Sequence, residues 1–191
     1  MSPKSAFTYR DYEALPNDRR RYEIHDGELC VTPAPSFGHQ IILSNFLRAL
    51  FRHVPDIAPG LILPAQTDVI LADRPDETTI VQPDILYIAP DRMSVTSRRG
   101  LEAAPTLAIE ILSPSTRAID RVVKRRLYAR YGTKYLWLAD PDARVVEAFV
   151  LEGDRYVLAA TAAGAEPVDL PPFTGLALVP DALWPTPPPT R

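Results

Sequence analysis

The run LAIEIL, residues 107–112, has the apolar continuity of a strand buried on both faces, yet Glu110 stands in its middle. A second run, VQPDILYIAP at 81–90, repeats the pattern with Asp84. An ionised carboxylate taken out of water without a partner costs several kcal/mol even after the protein relaxes. Whatever fold the chain adopts must therefore bring a base, a proton or a metal ion to each acid. The two-residue period of a strand puts Glu110 on the same face as Ala108 and Leu112. Pro83 keeps the position before Asp84 out of a regular interior ladder. If the two runs belong to one sheet, their acids come close together. Two carboxylates at short range cannot both ionise without a cation, so one is protonated or a divalent ion bridges them. Hard oxygen ligands, with one cysteine and three histidines in the whole chain, favour Mg²⁺ or Mn²⁺ over zinc. The competing explanation for any single buried acid is a structural pair with one of the many arginines.

The remaining segments suggest the frame around these strands. Thr8 followed by Asp11 predicts a short capped helix over 9–15, stopped by Pro16. RYEIHDGELCVTP reads as a hairpin, because Asp26-Gly27 suits a type I′ turn between two alternating runs. Ser36 caps a helix over 37–53 whose Ile42, Phe46, Leu47 and Leu50 recur at helical spacing. AQTDVILA (65–72) and TTIVQPDILYIA (78–89) read as two antiparallel strands around a DRPDE turn. A basic segment, DRMSVTSRRG, leads back to LAIEIL. A helix over 116–131 follows, with Gly132 as its left-handed cap. KYLWLAD, ARVVEAFV and RYVLAA form a meander, and PFTGLALVPDALW packs back on the sheet. The simplest layering of these elements is α/β, a mixed central sheet flanked by helices with added antiparallel hairpins.

At 191 residues, 46% hydrophobic and 24% charged, the chain is most simply one globular domain over 1–180 with a proline-rich tail at 181–191. Its last seven residues, PTPPPTR (185–191), cannot continue a helix or central strand and are expected to be extended and mobile. The first residues lack the apolar core of a signal peptide, and no run is long enough to span a bilayer, so a cytoplasmic location without membrane contact is expected. A single cysteine allows neither an intrachain disulfide nor a thiolate metal site. Nucleotide-binding glycine loops, HExxH and GxSxG are absent, which sets aside nucleotide-cofactor enzymes, zincins and serine hydrolases. Carboxylate chemistry remains.

The helix over 116–131 carries the counter-charge. From Arg117 to Arg130 six basic residues face one acid, Asp120, a local charge of +5 in a chain of net −3. Offsets of three, four and seven residues set Arg117, Arg121, Lys124, Arg125 and Tyr128 on one face. An acidic pocket beside a basic helix is what a metal-assisted phosphodiesterase requires. The bland alternative for such a helix is a solvated surface face.

RYEIHDGEL, PAPSFGHQ, QPDILYI, AIEILSPSTRAIDRVVKRRLY and YGTKYLWLADP, in that order, resemble the bacterial Uma-two family of endonucleases, of the restriction-endonuclease-like PD-(D/E)XK fold. The resemblance covers about 12–149. It implies that Asp84 is the PD acid and Glu110 the second acid, that both bind Mg²⁺ or Mn²⁺ with the Ile111 carbonyl, and that Glu23 and His39 reach the same cleft. The general motif places a lysine two residues after the second acid, where this sequence has Leu112. Lys124, on the following helix, matches the position the family uses instead, and its long stem can reach a cleft from there. Tyr128 and Trp137 read as packing residues. The function implied is a metal-dependent endonuclease acting on DNA, with Arg117, Arg121 and Arg125 on the phosphate backbone. Leu112 keeps open a nucleic-acid-binding or assembly module that retains the fold without catalysis. A two-carboxylate glycosidase is a third reading, and it leaves the basic helix unexplained. Dimers are common in this fold, so a homodimer is an arrangement the resemblance allows, although no residue pattern here demonstrates one.

Overall fold

The structure, a computed structural model, describes residues 6–18, 20–57, 59–74 and 77–185. Helix α1 (Tyr9–Glu13) precedes the hairpin β1 (Arg21–His25) and β2 (Glu28–Thr32), and α2 (Phe37–Ile57) follows. Next come β3 (Leu61–Pro64), β4 (Val69–Ala72), β5 (Thr79–Val81), β6 (Ile85–Ile88), the short pair β7 (Thr96–Ser97) and β8 (Gly100–Leu101), and β9 (Leu107–Ile111). A π-helical stretch, Ile119–Lys124, runs directly into α3 (Arg125–Arg130). The chain continues through β10 (Tyr135–Asp140), β11 (Val145–Glu152), β12 (Arg155–Ala163), β13 (Val168–Leu170) and β14 (Phe173–Leu178).

Among the described residues two six-stranded sheets form, ordered β12-β11-β10-β9-β6-β3 and β2-β1-β5-β4-β8-β7, and β13 pairs with β14. In the first, β9 and β10 run parallel because a helical crossover joins them, and the other pairings are antiparallel. The expected mixed α/β fold is thus present. The amino-terminal hairpin, however, belongs to the second sheet rather than decorating the first. One face of the first sheet carries Ile85, Ile109 and Trp137, and α2 covers it with Ile42, Phe46, Leu50 and Val54, spaced four residues apart. The opposite face carries Leu86, Ala108 and Leu112, which pack with Leu127 and Tyr128 and with Val69, Val81 and Leu101 of the second sheet. Every second residue of β6 and β9 therefore serves a different layer.

Local chemistry explains most boundaries. Thr8 and Asp11 form a reciprocal capping box on α1. Asp26 and Gly27 both take positive φ, as a type I′ turn requires. The Ser36 hydroxyl accepts the His39 N–H at the start of α2, which extends four residues past its expected end. Three readings need correction. The run 78–89 is not one strand: it breaks at Gln82-Pro83-Asp84, where Pro83 cannot donate, and β5 and β6 lie in different sheets. Only Val69–Ala72 of AQTDVILA is strand, and β3, β7 and β8, two to four residues each, gave no readable period. The helix over 116–131 is π-wound from Ile119 to Lys124. The DRPDE turn includes 75–76, and the tail from 186 onward carries most of PTPPPTR; both segments lie outside the described residues. Leu183 and Trp184 are buried in the core beneath α2, and Asn45 donates to the Leu183 carbonyl.

Candidate active site

The break at Pro83 creates the site. Ile85 pairs with Ile109 in the antiparallel register of β6 and β9, and one step further that register sets Asp84 against Glu110. Asp84 thus stands at the point where β6 begins, beside a strand that continues past it. Its Oδ2 accepts the Ile111 backbone N–H at 2.8 Å, a bond that a regular ladder would have given to a main-chain carbonyl. The same oxygen contacts His39 Nε2 at 3.1 Å, and Oδ1 accepts from Arg21 Nη2 at 2.7 Å. Burial opposes ionisation of Asp84, but the His39 and Arg21 contacts outweigh it and hold the carboxyl well below its ordinary range.

Glu110 meets a different set of partners. Its Oε1 lies 2.6 Å from Lys124 Nζ and accepts the Tyr128 hydroxyl at 2.6 Å. Lys124 also donates to Glu23 Oε1 at 3.1 Å and stands 3.8 Å from Asp120. Glu23 accepts the Gln82 backbone N–H at 2.6 Å, and His25 Nε2 lies 3.1 Å from its other oxygen. Glu23, Asp84, Glu110 and Lys124 are each at most 2% exposed. Burial raises Glu110 to about 8, because Lys124 compensates only part of the desolvation and Asp120, Asp84 and Glu23 add repulsion. Glu23 goes the other way, down to about 2: burial raises it, but Lys124, His25 and Gln82 more than offset that. Asp120 is raised, chiefly by burial.

The cluster therefore holds four carboxylates, Glu23, Asp84, Glu110 and Asp120, against two permanent cations, Arg21 and Lys124. His25 and His39 stand beside Glu23 and Asp84, and Glu110, with three other carboxylates near it, is the member that burial and their repulsion raise. Beside Asp84 the cluster opens into a cleft of about 250 Å³ lined by Arg21, Ser36, His39, Ile111, Ser113 and Asp120 among others. Among the described residues no three His, Cys, Asp or Glu side chains are arranged as a metal site. Adjacent carboxylates and the Ile111 carbonyl are nonetheless a hard-oxygen donor set of the kind a divalent cation takes. The donor set suits such an ion in chemistry.

The five residues Glu23, His39, Asp84, Glu110 and Lys124 come together from four elements and the Pro83 break. The arginines of the basic helix do not join them. Arg117 is held by Asp140 at 2.5 Å and by Asp142 at 2.6 Å, and Arg121 by Asp140 and Glu147. Arg125 lies over the Phe149 ring and donates to the Tyr156 carbonyl. The expected single basic face is instead two stripes: Asp120, Lys124 and Tyr128 point into the cluster, while Arg117, Arg121 and Arg125 brace the sheet. The single-acid alternative is met in part, since Asp84 does pair with an arginine, but Glu110 does not, and the cleft opens at the acid that does.

Three members escaped the reading from sequence. Arg21 precedes Glu23 by two residues, and the strand period that places Glu23 inward places Arg21 and His25 on the same face. Asp120 is the one acid of the basic helix and sits four residues before Lys124. Tyr128, read as a packing residue, is buried and also donates to Glu110.

A mixed sheet covered on both faces, with paired acids at a strand break and a lysine from the next helix, defines a nuclease-like α/β fold. The chain belongs to the Uma2 family, described as "putative restriction endonuclease", whose model matches residues 9–181. A crystal structure described as a "putative nuclease belonging to DUF820", from Anabaena variabilis ATCC 29413, is similar with a TM-score of 0.69 at 22% identity, covering 93% of this chain and 97% of that one. At that identity the likeness is one of fold. No match to a curated protein was found. Among the described residues no helix is long and apolar enough to cross a membrane.

Proposed function

We propose that the protein is a metal-dependent endonuclease of the cytoplasm that hydrolyses phosphodiester bonds of DNA. The observation that carries this reading is that Asp84 lines an open cleft, with Glu110 beside it in the β6–β9 register and Lys124 buried on Glu110 behind it. Asp84, Glu110 and the Ile111 carbonyl would hold Mg²⁺ or Mn²⁺. Such an ion, when bound, lowers the pKa of a water and offsets charge developing on the phosphate. Lys124 fixes Glu110 and Glu23 from behind the cleft and so holds the second acid in place. His39 orients Asp84 from the opposite layer, and Glu23 anchors both Lys124 and the Gln82 backbone, which tethers the strand break. Plasmid nicking with Mg²⁺ or Mn²⁺ tests the proposal. Wild type should nick and Asp84→Ala should not; equal cleavage by both rejects these roles.

A second reading has its own support. Leu112, where the general motif has lysine, is a buried core residue at 2% exposure, so that position cannot contribute charge. A chain that bound nucleic acid without cleaving it would show salt-sensitive association and no metal-dependent turnover. A gel-shift series beside the nicking assay separates the two.

A further inference from the structure

Arg117, Arg121 and Arg125 are each committed to acids, to an aromatic ring or to a carbonyl on the sheet. None of them lines the cleft beside Asp84. Among the described residues that do, Arg21 is the one lysine or arginine. Its guanidinium, 15% exposed, spends Nη2 on Asp84 Oδ1. A guanidinium carries five donors, so further N–H groups remain for a second anion in the same plane. Ser113, Ser115 and Thr116 also line the cleft, and the Ser113 hydroxyl lies 3.1 Å from that of Ser115 and 2.9 Å from that of Thr116, each able to act as donor or acceptor. The cleft also carries two acids, Asp84 and Asp120, so an anion entering it depends on the one cation present.

We propose that this cleft is the phosphate subsite and that Arg21, not the arginines of the basic helix, is the cation that contacts a phosphodiester there. The proposal rests on the nucleic-acid reading above and assigns its substrate contact. Arg21 is shared: Asp84 holds it in plane at the cleft wall, and its outer N–H edge meets the phosphate oxygen. The hydroxyls of Ser113 and Ser115 complete the cradle from the loop that follows β9. Strand β1 thus presents Arg21 to the substrate and Glu23 to Lys124 from one face.

The test is equilibrium binding of a fluorescein-labelled DNA duplex, in EDTA, across a salt series, so that neither metal nor turnover enters. Arg21→Gln alone leaves Asp84 without its cation, so the informative pair is Asp84→Asn, which frees Arg21 for an anion in the cleft, and Asp84→Asn/Arg21→Gln, which removes both partners. Asp84→Asn releases Arg21 and should bind more tightly than wild type. The double variant should bind about tenfold more weakly than Asp84→Asn, and its log–log salt slope should be shallower by about 0.9, the value of one lost phosphate contact. Arg117→Gln should leave the slope unchanged. If the double variant, folded by circular dichroism, matches Asp84→Asn in affinity and slope, the assignment is overturned. A slope that falls for Arg117→Gln and not with loss of Arg21 returns the contact to the helix and overturns it equally. Wild type that shows no salt-dependent binding retires the nucleic-acid reading, and the Arg21 assignment with it.

Discussion

Lys124→Met should be the most damaging single change in the cluster. The ammonium is 1% exposed and lies within 2.6–3.8 Å of Glu110, Glu23 and Asp120. Methionine has a similar shape, so the cavity term is small and the effect is electrostatic. Removing one partner from a buried ion pair costs about 3–5 kcal/mol, because the remaining charge is left uncompensated. For a domain of this size each kcal/mol moves Tm by about 2–4 °C, so the melting point should fall by about 6–20 °C at pH 8. The loss should be smaller at pH 5, where the orphaned carboxyls can take up protons. Mn²⁺ should restore part of it, since an ion can replace the missing positive charge. Thermal denaturation followed by circular dichroism at the two pH values, with and without Mn²⁺, reads all three effects. A Tm within 2 °C of wild type at pH 8 would refute the account of Lys124 as the cation that balances the cluster.

Other consequences follow from the same contacts. Glu110, raised to about 8, binds its proton more tightly in the folded state than in the unfolded one, so its contribution is fully present below about pH 4.5 and is lost as pH rises through 8. Wild-type Tm should therefore decline from pH 5 to 8, and Glu110→Gln should flatten that slope; an identical pH profile in the variant would contradict the shift. Tyr128→Phe removes a 2.6 Å hydrogen bond to a buried carboxylate and should cost about 1.5–3 kcal/mol in chemical denaturation, whereas a pure packing role predicts almost none. Gly100→Ala would set a Cβ 2.3 Å from the Asp68 carbonyl at a φ of +131°, so β8 should detach from β4 and stability fall by more than about 1–3 kcal/mol. Hydrogen exchange at Leu101 N–H, which bonds to that carbonyl, would report the detachment.

The site was more legible than the fold around it, for a physical reason. A carboxylate inside an apolar strand is costly enough to stand out in one sequence, so Asp84 and Glu110 were visible without coordinates. Their adjacency followed from both runs being strands of one sheet, and the antiparallel β6–β9 register supplies it. The role of Pro83 was only half visible. It was read as disturbing a ladder, whereas it ends one sheet and starts another, and that handover leaves Ile111 N–H to Asp84. The second sheet was hidden because β7 and β8 are two residues each, too short to carry a period. Helical spacing misplaced the arginines because it ignores what the opposing strand offers. Asp140, Asp142 and Glu147, from the meander, claim Arg117 and Arg121. The π-winding before Lys124, a feature frequent at functional sites, has no signature in side-chain pattern alone.

The claim on which the rest depends is that Asp84 and Glu110 converge to share one divalent cation. Anomalous diffraction from a crystal soaked in Mn²⁺ measures this directly. The predicted result is a single peak within coordination distance of both carboxylates and of the Ile111 carbonyl. A soaked crystal with no peak between the two acids would contradict it.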